Sequence, residues 1–153
     1  MPDLTTAPPI FVSGVIRSGT SWLGRLLATS ANTVYFHEPF NPHSRWNAAF
    51  PVPNQYLYLD ETNGELYEDL LRGLVTLNPI FRSQKWMPEL VSNRQQKLRA
   101  ALAHLDPALP ITPIIKDPTA VFSSEWLVNC CGARPVFILR HPIYIVQSLL
   151  KLD

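Results

Sequence analysis

The chain has 153 residues, of which 46% are hydrophobic and 16% charged, and its formal net charge is +1. That length suits one domain and that balance suits a packed globule, which excludes a disordered chain and gives no electrostatic footing for a nucleic-acid or anionic-membrane partner. The two cysteines, Cys130 and Cys131, are adjacent and make no secreted disulfide framework. They read as small buried or half-buried helix residues in a reducing compartment. Met1 to Pro9 lacks the basic start and apolar run of a signal peptide, and no stretch is long and apolar enough to span a bilayer. A cytoplasmic protein is expected, with no membrane partner.

Taken in chain order, Ile10 to Val15 is a short apolar strand, and a glycine-bearing turn leads to a helix over Ser21 to Ser30 with Trp22, Leu23, Leu26 and Leu27 at helical spacing. Val34 to Phe36 is a second strand, ending at His37-Glu38-Pro39. Residues 41 to 59 read as an ordered loop. Glu65 to Leu77 and Pro88 to Leu105 are helical. Ile111 to Ile115 is a third strand, and Pro113 within it predicts an edge position or a late start to pairing. Thr119 to Cys131 is a helix closed by Gly132. Pro135 to Leu139 is a fourth strand, apolar on both faces as a buried parallel strand should be. Ile143 to Leu152 begins a last helix with Pro142 in its first turn. Many of the fifteen prolines fall at the edges of these elements. Strands alternating with helices predict an α/β fold, with a parallel sheet and helices on both faces.

The segment Gly14-Val15-Ile16-Arg17-Ser18-Gly19-Thr20-Ser21 follows a strand and opens a helix. Its spacing is that of the phosphate-binding loop G-x-x-x-x-G-K-[ST], with Thr20 in place of the lysine. Glycines let backbone N–H groups curl inward, the helix adds its positive end, and Ser18, Thr20 and Ser21 add hydroxyls. A triphosphate loses its main charge partner when that lysine is missing. Arg17 supplies a cation inside the loop instead.

Arg17-Ser18-Gly19-Thr20-Ser21-Trp22 resembles the phosphosulfate-binding signature of sulfotransferases, and the stretch from Val12 to Pro42, with Glu38-Pro39, looks like the carbohydrate-type and related bacterial members. The resemblance implies a P-loop, nucleoside-kinase-like parallel sheet. It also implies that the loop holds the 5′-phosphosulfate of 3′-phosphoadenosine 5′-phosphosulfate, with Arg17 neutralising the transferring group. Val136 to Ser148 is similar to the family's 3′-phosphate motif, which assigns Arg140 and Ser148 to that phosphate. Arg140 also stands near a strand C-terminus, where open α/β sheets bind ligands, and the helix after it is expected to present free N–H groups.

A sulfuryl acceptor must lose a proton, so a general base is expected. Glu38 is the choice, with His37 as the alternative. Lys116 is placed by the resemblance where it could face the transferring group, and Asp117 reads as structural. The apolar run ending in Asp117 is also compatible with a magnesium-holding element, which supports a P-loop kinase or NTPase as the alternative; a nucleotide-binding remnant without catalysis is a third reading. His43, His104 and His141 have no metal-ligand spacing, and no metal is expected. Trp46, Tyr56, Tyr58 and Trp86 are candidates to line the site of a small-molecule or carbohydrate acceptor. The family's domain continues beyond the equivalent of Ser148, so residues 1–153 read as a single domain lacking its C-terminal portion, with about four strands, to be completed by that portion or by a partner chain.

Overall fold

The structure is a computed structural model that describes residues 6–44, 52–76, 106 and 108–151. The expected helix from Pro88 to Leu105 lies outside them, as do Trp46, Trp86 and His104. The elements are β1 (Ile10–Gly14), α1 (Thr20–Leu27), β2 (Thr33–His37), α2 (Glu65–Val75), β3 (Thr112–Lys116), a 3-10 turn (Val121–Ser123), α3 (Ser124–Cys131), β4 (Arg134–Ile138) and α4 (Pro142–Leu149).

The four strands form one all-parallel sheet in the order β2-β3-β1-β4. Side chains alternate across a strand, so the aligned residues Phe11, Ile115 and Phe36 share one face. Tyr67, Leu71, Leu74 and Val75 of α2 and Trp126 and Leu127 of α3 join them in one core cluster. Each of these large side chains contributes about 1.5–3 kcal/mol on burial. The opposite face carries Tyr35 and Lys116, and α1 lies on it: a Cβ built on Gly24 would stand 2.8 Å from the Tyr35 ring and 3.1 Å from Lys116 Cβ.

The connection from β1 through α1 to β2 therefore passes over one face. The connection from β3 through α3 to β4 passes over the other. Neighbouring strands β1 and β3 send their helices to opposite sides, which opens a crevice at their C-terminal ends, the general ligand position in open α/β sheets.

Three expectations need correction. β3 is interior, neither an edge nor late to pair along its whole length. It pairs with β2 from Thr112 and bridges Thr6 through Ile111, so the donor missing at Pro113 interrupts only the β1 side, where the ladder resumes at Ile10↔Ile114. β4 is not buried on both faces; it is the edge strand, and Val136 and Phe137 are exposed. The helix expected from Thr119 starts at Ser124, because the chain first makes the 3-10 turn. Gly132 closes it as expected, with its N–H on the Val128 carbonyl, and both cysteines are half-buried free thiols within it.

Candidate functional site

β1 ends in Gly14, whose φ of +147° lies where side chains are rarely accommodated, and a Cβ there would stand 2.5 Å from the Ile138 carbonyl oxygen of β4. Glycine is thus required both for the backbone path and for the approach of the two strands. The loop then turns through Arg17, a non-glycine residue at φ 64°, and Gly19 at φ 109°. Gly19 is the N-cap of α1, and no side chain caps that end. The first N–H groups of α1 have no intrahelical partner and carry the positive end of the helix dipole. The Ser18 hydroxyl is buried in this loop with no hydrogen-bond partner among the described residues.

A cleft of about 420 Å³ opens against this loop. From β1 and α1 it is lined by Ile16, Arg17, Gly19, Thr20, Ser21 and Trp22; from the ends of β2 and β3 by Glu38, Lys116 and Pro118; from β4 and α4 by Arg140 and Ser148. Three cationic side chains face one carboxylate. Of the residues expected to bind the cofactor or act as the base, Arg17, Gly19, Thr20, Ser21, Trp22, Glu38, Arg140 and Ser148 line the cleft, and Ser18 is buried in the same loop. Arg17 Nε donates to Ser148 Oγ at 3.0 Å, and Arg140 Nη1 donates to the Arg17 carbonyl oxygen at 2.8 Å. Arg140 also stands 6.0 Å from the centre of the Tyr144 ring. The two arginines, 123 residues apart, form one unit.

The helix after Arg140 does not present a free N-terminus. Its N1 residue is Pro142, which has no N–H, and Ile143 N–H donates to Nδ1 of the capping His141 at 3.3 Å. The phosphate affinity expected of this corner rests on Arg140 and Ser148 rather than on backbone donors.

Glu38 also has positive φ, at 51°, immediately before Pro39. Such a conformation costs a non-glycine residue about 1–3 kcal/mol and persists where its surroundings over-determine it. Here Glu38 N–H donates to the Lys116 carbonyl oxygen at 2.7 Å. Its carboxylate pairs with the Lys116 ammonium through Oε1 and accepts from Asn41 Nδ2 at 2.7 Å through Oε2. Burial by itself would raise the Glu38 carboxyl, but the bonds from Lys116 and Asn41 and the charges of Lys116 and His37 hold it below the usual carboxylate range. His37 is not among the cleft residues; its Nδ1 lies 3.1 Å from the Tyr35 hydroxyl.

Asp117 is fully buried. Oδ2 accepts from Phe40 N–H at 2.6 Å, and Oδ1 accepts from the Thr119 N–H and hydroxyl at 2.8 and 2.7 Å. It fastens the loop after β2 to the end of β3, a structural role. Burial pushes its carboxyl up to about 6 against those bonds.

Lys116 is the residue that sequence reasoning undervalued. Lys116, from the strand paired with β1, lines the same cleft as the loop that has threonine at position 20, and only the pairing of β3 with β1 reveals this. Asn41 was missed as well; its place three residues after Glu38 was a usable signal. Tyr56 and Tyr58 do not line the cleft: both are exposed, and Tyr56 packs on Phe122 with ring centres 6.2 Å apart. Among the described residues no group of three or more His, Cys, Asp or Glu is placed to hold a metal ion, and no helix is long and apolar enough to cross a membrane.

Comparison with family models, curated proteins and solved structures returned no match. The cleft is thus described by its lining alone: three cationic side chains and one carboxylate.

Proposed function

We propose that the chain is a sulfotransferase of the P-loop, nucleoside-kinase-like class, using 3′-phosphoadenosine 5′-phosphosulfate and an acceptor hydroxyl or amine. The observation that carries this reading is the convergence of Arg17, Lys116 and Arg140 on one cleft that also holds the uncapped end of α1 and a carboxylate, with threonine where a triphosphate-binding loop needs lysine. Two separate anion positions, the β1–α1 loop and the Arg140–Ser148 corner, suit a 3′,5′-bisphosphate nucleotide better than a linear triphosphate. The buried Ser18 hydroxyl, without a partner among the described residues, and the first N–H groups of α1 fit a phosphosulfate in the loop.

In this reading Glu38 takes the acceptor proton as the new oxygen–sulfur bond forms. The bond between sulfur and the bridging oxygen breaks, and its electron pair leaves with the nucleotide phosphate. Arg17 and the loop amides stabilise the charge growing there, the kind of donor whose loss costs about 3–4 kcal/mol in the barrier. A carbohydrate is the acceptor first suggested by the Glu38-Pro39 resemblance, and activity in a cytoplasmic setting is part of the same reading. The kinase alternative is weakened by Asp117, which is fully buried with both oxygens committed to Phe40 and Thr119 and does not line the cleft.

Calorimetry with 3′-phosphoadenosine 5′-phosphate beside ATP with magnesium tests the proposal. Binding of the bisphosphate without ATP supports it, and the reverse preference sinks it. Glu38→Gln is expected to lose sulfuryl transfer while keeping nucleotide binding; full turnover in that variant would remove Glu38 as the base.

A further inference from the structure

A difficulty in the mechanism points to a device. Glu38 must accept a proton, yet Oε1 is held by the Lys116 ammonium and Oε2 by Asn41. A carboxylate so committed is a poor base. The lysine is equally constrained: its side chain is 3% exposed, and a buried ammonium without an anion is strongly destabilising.

We propose that Lys116 and Glu38 form an exchangeable pair, in which an anionic sulfuryl or phosphoryl group arriving in the cleft takes the Lys116 ammonium from Glu38 and so frees Glu38 to act as a base only when the donor is bound. This rests on the sulfotransferase reading above. Both residues line the cleft, which puts an anion bound there beside the pair. Glu38 is 19% exposed and held in place by Asn41 and by its N–H on the Lys116 carbonyl, so it does not follow the ammonium away. Lysine has three donors on a flexible stem and can change partners where a bidentate arginine would not. The pair also keeps a counter-charge beside Lys116 in the empty and the loaded cleft alike.

The groups around Glu38 set the direction of the change. Lys116 on β3 and His37 on β2, with Nε2 at 3.8 Å, favour the carboxylate. Asp117, also at the end of β3, opposes it, and Tyr35 on β2 is neutral near pH 7, with Arg25 of α1 acting on it. Arg17 and Arg140 complete the cleft and are taken up by the anionic groups of the same arriving nucleotide. Once Lys116 turns to that anion, burial and the new negative charge dominate at Glu38 and its proton affinity rises.

The test follows the Glu38 carboxyl by carbon NMR, assigned with Glu38→Gln, in the free chain and with 3′-phosphoadenosine 5′-phosphosulfate without acceptor. The expected result is an upward move of its titration midpoint by about one pH unit or more on binding. In Lys116→Met the midpoint should be high already and should rise less on nucleotide binding than in the unmodified chain. Should that variant not fold, Lys116→Arg keeps the charge and is expected to hold Glu38 low with the nucleotide present. Glu38→Gln, lacking the competitor for Lys116, should bind the phosphosulfate at least as tightly as the unmodified chain, and weaker binding would count against the exchange. Binding seen by calorimetry with an unmoved Glu38 midpoint overturns the exchange and leaves the sulfotransferase reading standing. Absence of nucleotide binding overturns that reading, and the exchange with it.

Discussion

Arg140 grips the backbone of Arg17, its Nη1 donating to the Arg17 carbonyl oxygen at 2.8 Å. The contact ties the loop between β1 and α1 to the segment after β4. It also steadies a residue in the left-handed region, a conformation that costs a non-glycine residue about 1–2 kcal/mol. Arg140 thus has two jobs, one as a charge in the cleft and one as a clamp on the loop.

Arg140→Ala should therefore weaken 3′-phosphoadenosine 5′-phosphate binding by roughly tenfold or more, since a hydrogen bond to a charged group is worth about 1.5–3 kcal/mol. Arg140→Lys keeps the charge without the planar donor pair and should fall between the two. Calorimetry reads both, and unaltered affinity in Arg140→Ala would remove the second anion position.

Arg17 separates binding from folding. Glycine at this position relieves the positive φ, while alanine does not, so Arg17→Gly should be at least as stable as Arg17→Ala and exceed it by about 1 kcal/mol. Both variants lose the cation and should bind nucleotide poorly. Thermal unfolding beside calorimetry distinguishes the effects; a less stable glycine variant would contradict the strain assigned here.

Gly14 and Gly19 make a matched pair. A methyl group at 14 meets the Ile138 backbone carbonyl at 2.5 Å, whereas one at 19 meets nothing within 4 Å. Gly14→Ala should cost about 3 kcal/mol, from overpacking against a strand that cannot step aside and from backbone strain. Gly19→Ala should cost only the strain, about 1 kcal/mol. Urea unfolding of the two variants checks the order, and equal losses would place the β1–β4 contact elsewhere.

Asp117 gives a pH dependence of unusual sign. Its folded carboxyl sits at about 6 against an ordinary 3.8, burial being the cause. The contribution is fully present below about pH 4 and is lost as pH rises through about 6, because the buried carboxylate is then charged. The interval corresponds to a loss on the order of 3 kcal/mol. Glu38, held low, works in the opposite sense and is lost as pH falls. The stability of the unmodified chain relative to Asp117→Asn should therefore decline between pH 4 and 7 in denaturant titrations; a rise over that range would reverse the assignment.

The β1–loop–α1 unit, β2 and β4 were legible in the sequence because their signals are local: an apolar run, a glycine turn, a helical spacing, a proline at the first turn. Strand order was not, since it depends on which edges pair. Pro113 suggested an edge or a late start to pairing, yet β3 is interior and paired with β2 from Thr112, the missing donor interrupting only its β1 side. The apolar residues of β4 suggested burial, yet the edge position leaves Leu139 beyond it 91% exposed. The cleft residues were named from motifs, but the pairing of Lys116 with Glu38, 78 residues apart, arises only when β2 and β3 lie side by side. Distance along the chain hid that contact, and no periodicity reports it.

In the sheet Lys116 stands level with Val12 on one side and His37 on the other. Successive strand residues point to opposite faces, so a slip of β3 by one position would offer Asp117 or Ile115 to the cleft in place of the lysine. The wall would change from cationic to anionic or neutral with no substitution at all. The connecting loops can lengthen or shorten without this effect, whereas a single inserted or deleted residue within β3 rewrites the charge of the pocket. The polarity of the cleft is thus encoded as much in counting as in composition.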